Sequence, residues 1–371
     1  MRIAEIEPMI VEVPLREPVT GVHGVTSLQR SLVVRVRTDD GLEGWGDVDP
    51  TPGYTLESVD DIHADAERLA PALHGMDPLN THRALAAMDE VLSGAVEAKA
   101  ALEMALLDLK GKALGQPVHS LLGGRVVDAV HLNAWIGAVP PEQAAREARE
   151  WVARGFTTAK IKVSGPKPVG IERVAAVRAA VGGRMALRVD FNESLTPDDA
   201  VPFIRALEPY DLTLVEQPVP RDRIDALAEI RRKISIPLMA DESVTTPASL
   251  IDIIRREAAD IVKVKAMKQG GLLRTRSMVE CAAAAGLRVV IGHGFGLTLS
   301  TLAEAALAAT HPAVLPGCEA VGPLKMSADV VTTPADLSHG VLRLSDAPGL
   351  GADIDTAALA RHRKTASAKR S

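Results

Sequence analysis

The chain has 371 residues, of which 47% are hydrophobic and 24% are charged, so it can bury a large core and form more than one domain. A net charge of −6 and an aromatic content of 2% argue against nucleic-acid binding. No window approaches the about 18 consecutive apolar residues of a membrane helix, and the amino-terminal stretch lacks the apolar core of a secretory signal. The two cysteines lack metal-site spacing and are interpreted as buried free thiols. We therefore expect a cytoplasmic protein without membrane or nucleic-acid partners.

The first part of the chain, to about residue 125, changes from strand patterns to helix patterns. Alternating apolar residues predict strands in RIAEIEPMIVEVPL, SLVVRVRTDDG and GLEGWGDV, with TDDG as a turn. Helices are predicted in ESVDDIHADAERLAPALHG, DPLNTHRALAAMDEVL and AVEAKAALEMALLDLKGKALG, the last of which ends at Gly115. Strands followed by helices predict an α+β unit.

From about residue 130, a strand–helix rhythm repeats about every 25 residues. The apolar runs are VHLNAWIG, TTAKIKV, MALRVDFN, LTLVEQP, IPLMADE, DIVKVKA, LRVVIGHG and AVLPGCE. Eight such units favour a closed (β/α)8 barrel of the TIM type over an open doubly wound sheet, which has a similar period. We therefore predict an α/β fold with a barrel at residues 126–321 and an α+β capping domain at residues 1–125 that residues 322–371 complete.

Ionisable or polar residues stand at nearly every strand end of the predicted barrel, where barrel enzymes place their active sites. They are Lys160, Lys162, Asp190, Asn192, Glu216, Asp241, Glu242, Lys265 and His293. Asp190, Glu216 and Asp241 are one βα unit apart, so they should point to a common centre. Because crowded carboxylates repel, we expect a hard divalent ion there, Mg²⁺ with Mn²⁺ as a substitute. The alternative is that these acids only pair with the lysines.

Two lysine pairs occur in apolar strands, and the members of each pair share one face. A surface strand would simply expose such pairs, but beside a metal site Lys162 and Lys265 would lie on opposite flanks of a bound carboxylate. We predict that Lys162 and Lys265 transfer protons and that Lys160 stabilises the developing negative charge. Lys263 lies one layer deeper, and we interpret it as a paired interior charge.

The ordered motifs resemble the enolase superfamily, and within it the mandelate racemase and muconate lactonizing enzymes. The resemblance covers nearly the whole chain and rests on GLEGWGD, AKIKV, RVDFN, LVEQP, MADES, KVKAMKQGG and PGLGADID. It implies Asp190, Glu216 and Asp241 as metal ligands and Asn192 as support for the metal site or the substrate. It further implies Lys162 and Lys265 as acid/base catalysts beside Lys160, and a homo-oligomer, either a dimer or an octamer.

Two strand ends indicate the subgroup. Lys265 stands where mandelate racemases carry an Asp, so the pattern is similar to that of the muconate lactonizing enzymes. His293 therefore lacks that acidic partner, and we interpret it as a substrate contact. On the eighth strand Glu319, a further predicted substrate contact, and Val321 replace the Asp-x-Asp of dipeptide epimerases, which is closer to the cycloisomerases. The capping segment adds candidate substrate contacts at His23, Gln29 and Tyr54.

The predicted activity is Mg²⁺-dependent removal of the proton α to a carboxylate, which gives an enolate intermediate. The enzyme would be a cycloisomerase, preferred for the eighth-strand pattern, or a racemase or epimerase of a small carboxylic acid. The alternative reaction is dehydration of an acid sugar or hydroxy acid, with His293 as general acid. A non-catalytic carboxylate-binding protein is the alternative of another class.

Overall fold

The computed structural model describes residues 1–21, 24–51, 55 and 57–364. The strands, in chain order, are β1 (Ile3–Gly21), β2 (Gly24–Thr38), β3 (Glu43–Val48), β4 (Ala129–His131), β5 (Ala134–Ile136), β6 (Thr158–Lys162), β7 (Ala186–Asp190), β8 (Leu212–Glu216), β9 (Leu238–Ala240), β10 (Ile261–Val264), β11 (Arg288–Ile291), β12 (Val341–Arg343) and β13 (Arg363–Lys364).

The α-helices, in chain order, are α1 (Val59–Leu73), α2 (Thr81–Val91), α3 (Val96–Leu114), α4 (Val118–Leu121), α5 (Pro141–Ala153), α6 (Lys167–Val181), α7 (Pro197–Leu207), α8 (Ile224–Lys233), α9 (Pro247–Arg255), α10 (Ala266–Gln269), α11 (Leu272–Ala284), α12 (Thr298–Ala308) and α13 (Thr356–His362). Short 3₁₀ turns occupy Gly182–Arg184, Glu208–Tyr210 and Gly322–Leu324. Among the described residues, no helix combines the length and the apolar character needed to cross a membrane.

The amino-terminal strands form an antiparallel sheet in the order β13-β1-β2-β3, and α1 to α3 follow it. The predicted TDDG turn is present, since the Gly41 N–H donates to the Thr38 carbonyl over 3.0 Å and Gly41 has a φ of +88°. Helix α3 ends at Gly115 in the left-handed conformation, as predicted. The α+β character of this unit is therefore confirmed.

The second unit is the predicted (β/α)8 barrel. Its parallel strands lie in the order β5-β6-β7-β8-β9-β10-β11, which is also their order in the chain. The segment after α12 closes the ring, because the Ala313 carbonyl and the Leu315 N–H both bond to Val289 of β11. On its other side the Cys318 carbonyl accepts the Asn133 N–H over 2.8 Å, next to β5. The eighth strand is short and irregular, since Pro316 between these contacts has no N–H to donate.

An apolar layer fills the lower part of the barrel. It consists of the buried side chains Leu214, Met239, Ile261 and Val290, with Leu315 packed against them. We call this layer the apolar floor. Because side chains alternate along a strand, the residue two positions after a floor residue points into the barrel one layer higher.

The capping unit and the barrel meet at the start of α11. The buried Glu103 carboxylate of α3 accepts the N–H groups of Leu272 and Leu273, each over 2.8 Å. These are orphan donors of the helix start, so Glu103 caps the barrel helix from the capping unit. Burial raises the pKa of Glu103 to about 7.

The chain after residue 321 contacts both units. Strand β13 pairs with β1 in the capping sheet, whereas β12 pairs with β4 at the start of the barrel. The exact boundaries at residues 125 and 321 stay predictions.

The two cysteines differ in their surroundings. Cys318 is buried, as predicted, but Cys281 is exposed, so the prediction of a buried thiol is wrong there. Helix α11 buries the stripe that contains Met278 and Ala282, and Cys281 lies off this stripe.

Gly46→Ala should destabilise the fold, because a Cβ at Gly46 would lie 2.4 Å from the Ala101 carbonyl oxygen of α3. We expect the free energy of unfolding to fall by about 1–3 kcal/mol, as for an overpacked core. Gly183→Ala is the matched control, since no atom lies within 4 Å of its added Cβ, and it should change stability by less than about 1 kcal/mol. Urea denaturation followed by circular dichroism measures both, and equal losses in the two variants would contradict the packing argument.

Candidate active site

The charged strand ends predicted from the sequence meet at one edge of the barrel, above the apolar floor. Asp190 and Glu216 are the last residues of β7 and β8, and Asp241 directly follows β9. All three side chains have no exposed surface. We call these three acids the carboxylate row, because their strands are neighbours in the sheet.

Two ammonium groups link the members of the carboxylate row. The Lys160 Nζ lies 3.3 Å from both Asp190 Oδ2 and Glu216 Oε2. The Lys263 Nζ lies 3.0 Å from Glu216 Oε1 and 3.6 Å from Asp241 Oδ2. Opposite charges therefore alternate along the row, which compensates for the loss of water around each of them. This agrees with the interpretation of Lys263 as a paired interior charge.

Glu319 of the eighth strand holds both linking lysines. Its Oε2 lies 2.5 Å from Lys160 Nζ and 2.5 Å from Lys263 Nζ. Burial opposes the charge of Glu319, but these two lysines lower its pKa to about 2. Glu319 thus fixes the position of Lys160, and its predicted contact with a substrate stays a prediction.

Lys162 and Lys265 lie at opposite ends of the carboxylate row. The Lys162 Nζ donates to Asp190 Oδ2 over 2.6 Å and to Asn192 Oδ1 over 2.5 Å. At the other end the Lys265 Nζ donates to Asp241 Oδ2 over 2.7 Å. The Lys162 side chain is 28% exposed and that of Lys265 only 1%, so the site is more open to solvent on the Lys162 side.

Two further residues complete the edge of the site. Lys268, which the sequence analysis missed, donates to Asp241 Oδ1 over 2.7 Å and to the Asp241 carbonyl over 2.6 Å. The pattern that could have identified Lys268 is its spacing of three residues from Lys265, which is about one helical turn along α10. The Asn192 amide donates to Glu242 Oε1 over 3.3 Å. Burial and then the neighbouring Asp241 carboxylate raise the pKa of Glu242.

The donor chemistry of the carboxylate row suits a hard divalent cation. Burial and then the Asp190 carboxylate raise the pKa of Glu216 to about 8, although Lys160 and Lys263 oppose this shift, so a further cation beside Glu216 would favour its charged form. Glu216 Oε2 is buried and has the Lys160 contact but no well-aligned hydrogen bond, and Glu242 Oε2 is buried without a hydrogen-bond partner.

As they stand, no three His, Cys, Asp or Glu side chains in the described part of the chain converge closely enough to hold an ion. The ammonium groups of Lys160 and Lys263 lie between the carboxylates instead. Three anionic oxygen donors on adjacent strands nevertheless match the ligand preference of Mg²⁺.

His293 lies apart from the carboxylate row and joins the capping unit to the barrel. Its Nε2 pairs with the Asp49 carboxylate just after β3, and its Nδ1 lies 3.1 Å from Glu304 Oε2 of α12. Burial opposes a charge on the ring, but Asp49 and Glu304 raise the pKa of His293 to about 10. The sixth-strand acid is absent, since that position is Lys265, but Asp49, which is 244 residues away in the sequence, pairs with His293 instead. The predicted substrate contact of His293 stays a prediction.

The candidate contacts of the capping segment lie mostly outside the described residues. This holds for His23 and Tyr54, so their predicted contacts stay predictions. Gln29 is buried in β2, where its side-chain amide donates to the Arg30 carbonyl over 2.9 Å.

His293→Gln should destabilise the protein in a pH-dependent manner. The folded-state pKa of His293, about 10, exceeds its ordinary value of 6.5, so the stabilisation is complete below pH 6.5 and is lost as the pH rises through about 10. We expect a loss of about 3–5 kcal/mol at pH 6, where two buried carboxylates lose their cation, and a smaller loss at pH 10. Urea denaturation at both pH values measures the difference, with the exposed His339→Gln as control. A loss that is equal at both pH values would show that the His293 charge is not involved.

Known protein families match the chain over most of its length. The mandelate racemase / muconate lactonizing enzyme N-terminal domain matches residues 5–123, and the enolase C-terminal domain-like family matches residues 143–358. The N-succinyl-L-Arg/Lys racemase of Bacillus cereus is 33% identical over 361 residues, which is 96% of each chain.

Solved structures agree with these matches. The muconate lactonizing enzyme from Pseudomonas fluorescens complexed with muconolactone has a TM-score of 0.94 at 31% identity, covering 98% of this chain and 99% of that one. A dipeptide epimerase from Enterococcus faecalis, complexed with Mg and the dipeptide L-Leu-L-Tyr, has a TM-score of 0.92 at 31% identity, covering 95% and 100%. These relatives are isomerases, which supports an enzyme over a non-catalytic binding protein. The chain belongs to the mandelate racemase / muconate lactonizing enzyme family of the enolase superfamily.

Proposed function

We propose that this enzyme removes the proton α to the carboxylate of a small acid and forms an enolate. The observation that carries the proposal is the position of Lys162 and Lys265, which bind opposite ends of the carboxylate row. A substrate whose carboxylate binds over the row would have one lysine on each side of its α-carbon. Such positioning converts proton transfer into a local step between groups that are already in place.

Asp190, Glu216 and Asp241 would hold Mg²⁺. When bound, this ion supplies positive charge that stabilises the negative charge developing on the substrate carboxylate. Its presence in the Enterococcus faecalis epimerase supports the assignment. The Lys160 ammonium, held by Glu319 at 2.5 Å, adds a second fixed positive charge on the same side.

The lysines perform the proton transfers. In its neutral form one lysine accepts the α-proton at Nζ, and a positive charge next to that lysine favours the neutral form. Asn192 accepts a hydrogen bond from Lys162 and so orients its Nζ. The second lysine either returns a proton to the opposite face, as in a racemase or epimerase, or takes no part in proton transfer, as in a cycloisomerase.

Cycloisomerisation has the better support of these two reactions. Glu319 is already paired with Lys160 and Lys263, and position 321 is Val, so the eighth strand offers no pair of acids for a substrate ammonium. Muconate cycloisomerases and an N-succinyl amino acid racemase are both among the relatives. Dehydration has less support, because both His293 ring nitrogens contact carboxylates and leave no free N–H for a departing hydroxide.

Separate Lys162→Ala and Lys265→Ala variants distinguish the two reactions. If the enzyme is a racemase or epimerase, both variants should lose turnover by a factor of about 100 or more, since each lysine serves one face of the substrate. If it is a cycloisomerase with one base, only one variant should lose that much. Exchange of α-protons for deuterium in D₂O, detected by NMR with muconolactone and N-acyl amino acids, measures this. Full exchange activity in both variants would refute the lysine roles.

Metal binding is tested directly with Mn²⁺ and electron paramagnetic resonance. Asp241→Asn should weaken Mn²⁺ binding by at least about tenfold, because it removes one anionic ligand of the proposed site. Glu193→Gln is the control, since Glu193 pairs with Arg221 at 2.6 Å and lies outside the carboxylate row. Equal Mn²⁺ affinity in the wild type and Asp241→Asn would show that the carboxylate row is not the metal site.

A further inference from the structure

A lysine that takes no part in the carboxylate row lies at the mouth of the barrel. Lys325 follows the 3₁₀ turn that comes after the eighth strand. Its Nζ donates to the Gly294 carbonyl over 2.5 Å. Gly294 lies just beyond the carboxyl end of β11, so the Lys325 ammonium is on the same edge of the barrel as the proposed active site.

Two aromatic rings surround this ammonium group. The Lys325 Nζ lies 4.5 Å from the ring centroid of Trp135 and 4.2 Å from that of Phe295. Cation–π contacts of this kind attract the charge but do not neutralise it. Within residues 1–21, 24–51, 55 and 57–364, no carboxylate forms an ion pair with Lys325. In this respect it differs from the lysines that pair with the carboxylate row.

The electrostatic surroundings of Lys325 oppose its positive charge. Burial, and then the Lys160 and Lys162 ammonium groups, lower the pKa of Lys325 to about 7, although Glu319 opposes this shift. Keeping a cation in such surroundings costs free energy, which an anionic group of a ligand would recover. The residue as a whole is half-buried.

We propose that Lys325, between Trp135 and Phe295, binds a second carboxylate of a dicarboxylate substrate whose first carboxylate binds at the carboxylate row. This inference rests on the proposed function and narrows its substrate class to acids with a second anionic group remote from the α-carbon. The same ammonium would repel the free amino group of a dipeptide. Lys325 is therefore assigned as a residue that determines specificity, and the proton transfers remain with Lys162 and Lys265.

The test compares each dicarboxylate with an analogue in which only the remote carboxylate is an amide. A suitable series is N-malonyl-, N-succinyl- and N-glutaryl-L-alanine, each with its terminal amide. The KM and kcat of α-proton exchange are measured for the wild type, Lys325→Met and Lys325→Arg. Lys167→Met is the matched control, since Lys167 also lies over an aromatic ring, that of Phe203 at 5.8 Å, but is exposed.

In the wild type, at least one dicarboxylate should have a KM about ten- to a hundredfold below that of its amide, the effect of one charge-assisted hydrogen bond. Lys325→Met should abolish this ratio with little change in kcat for the amide, whereas Lys325→Arg should keep part of it. Lys167→Met should behave as the wild type does. A dicarboxylate preference that survives in Lys325→Met would overturn the proposal.

Calorimetric titration separates this proposal from the proposed function. If the wild type exchanges no α-proton of any compound, the enolate chemistry fails, but binding of the same pairs still tests Lys325. Tighter binding of a dicarboxylate than of its amide, lost in Lys325→Met, would support the subsite without catalysis. No preference for any dicarboxylate in the wild type would overturn it. Circular dichroism of each variant verifies that it is folded.

Discussion

Charge compensation in the buried layer of the barrel is the constraint on which the site depends. Lys263 and the three acids of the carboxylate row have no exposed surface, and ions this deep are tolerated only beside opposite charges. The structure meets this condition by alternation, with Lys160 and Lys263 each between two carboxylates of the row and both held by Glu319. Removal of one member would leave its neighbours with less opposite charge around them. The same alternation fixes the orientation of each side chain, which proton transfer requires.

The sequence was sufficient to predict the parts of the site that local patterns encode. Strand alternation and the repeat of about 25 residues predicted the barrel, and the strand ends identified Lys162, Asp190 and Glu216 as neighbours. Contacts between distant segments could not be predicted in this way. The pairing of His293 with Asp49 spans 244 residues, and it depends on how the capping unit packs on the barrel. Likewise, nothing near Lys325 in the sequence indicates that it lies between two aromatic rings from separate strand ends.

Two buried carboxylates connect the capping unit to the chain segment that follows Lys265, a proposed catalytic residue. Glu103 caps the start of α11, the helix that follows α10 and the strand end of Lys265. Glu304 contacts His293 through one oxygen, and through the other it accepts the Ala266 N–H, directly after Lys265. The route from the capping unit through His293 therefore reaches the backbone of a proposed catalytic residue. The position of the cap and the position of Lys265 are consequently not independent.

The position of Lys325 separates substrate recognition from the chemistry. The lysines that pair with the carboxylate row each contact a buried acid, so a change in one of them disturbs the balance of charge along the row. Lys325 instead contacts a carbonyl and two aromatic rings, and its replacement leaves every ion pair of the row intact. It also lies in the irregular segment that follows the eighth strand, and such a segment tolerates substitution more readily than a barrel strand does. A family that keeps one proton-transfer reaction can thus change its substrate preference at such a position without disturbing the buried ion pairs.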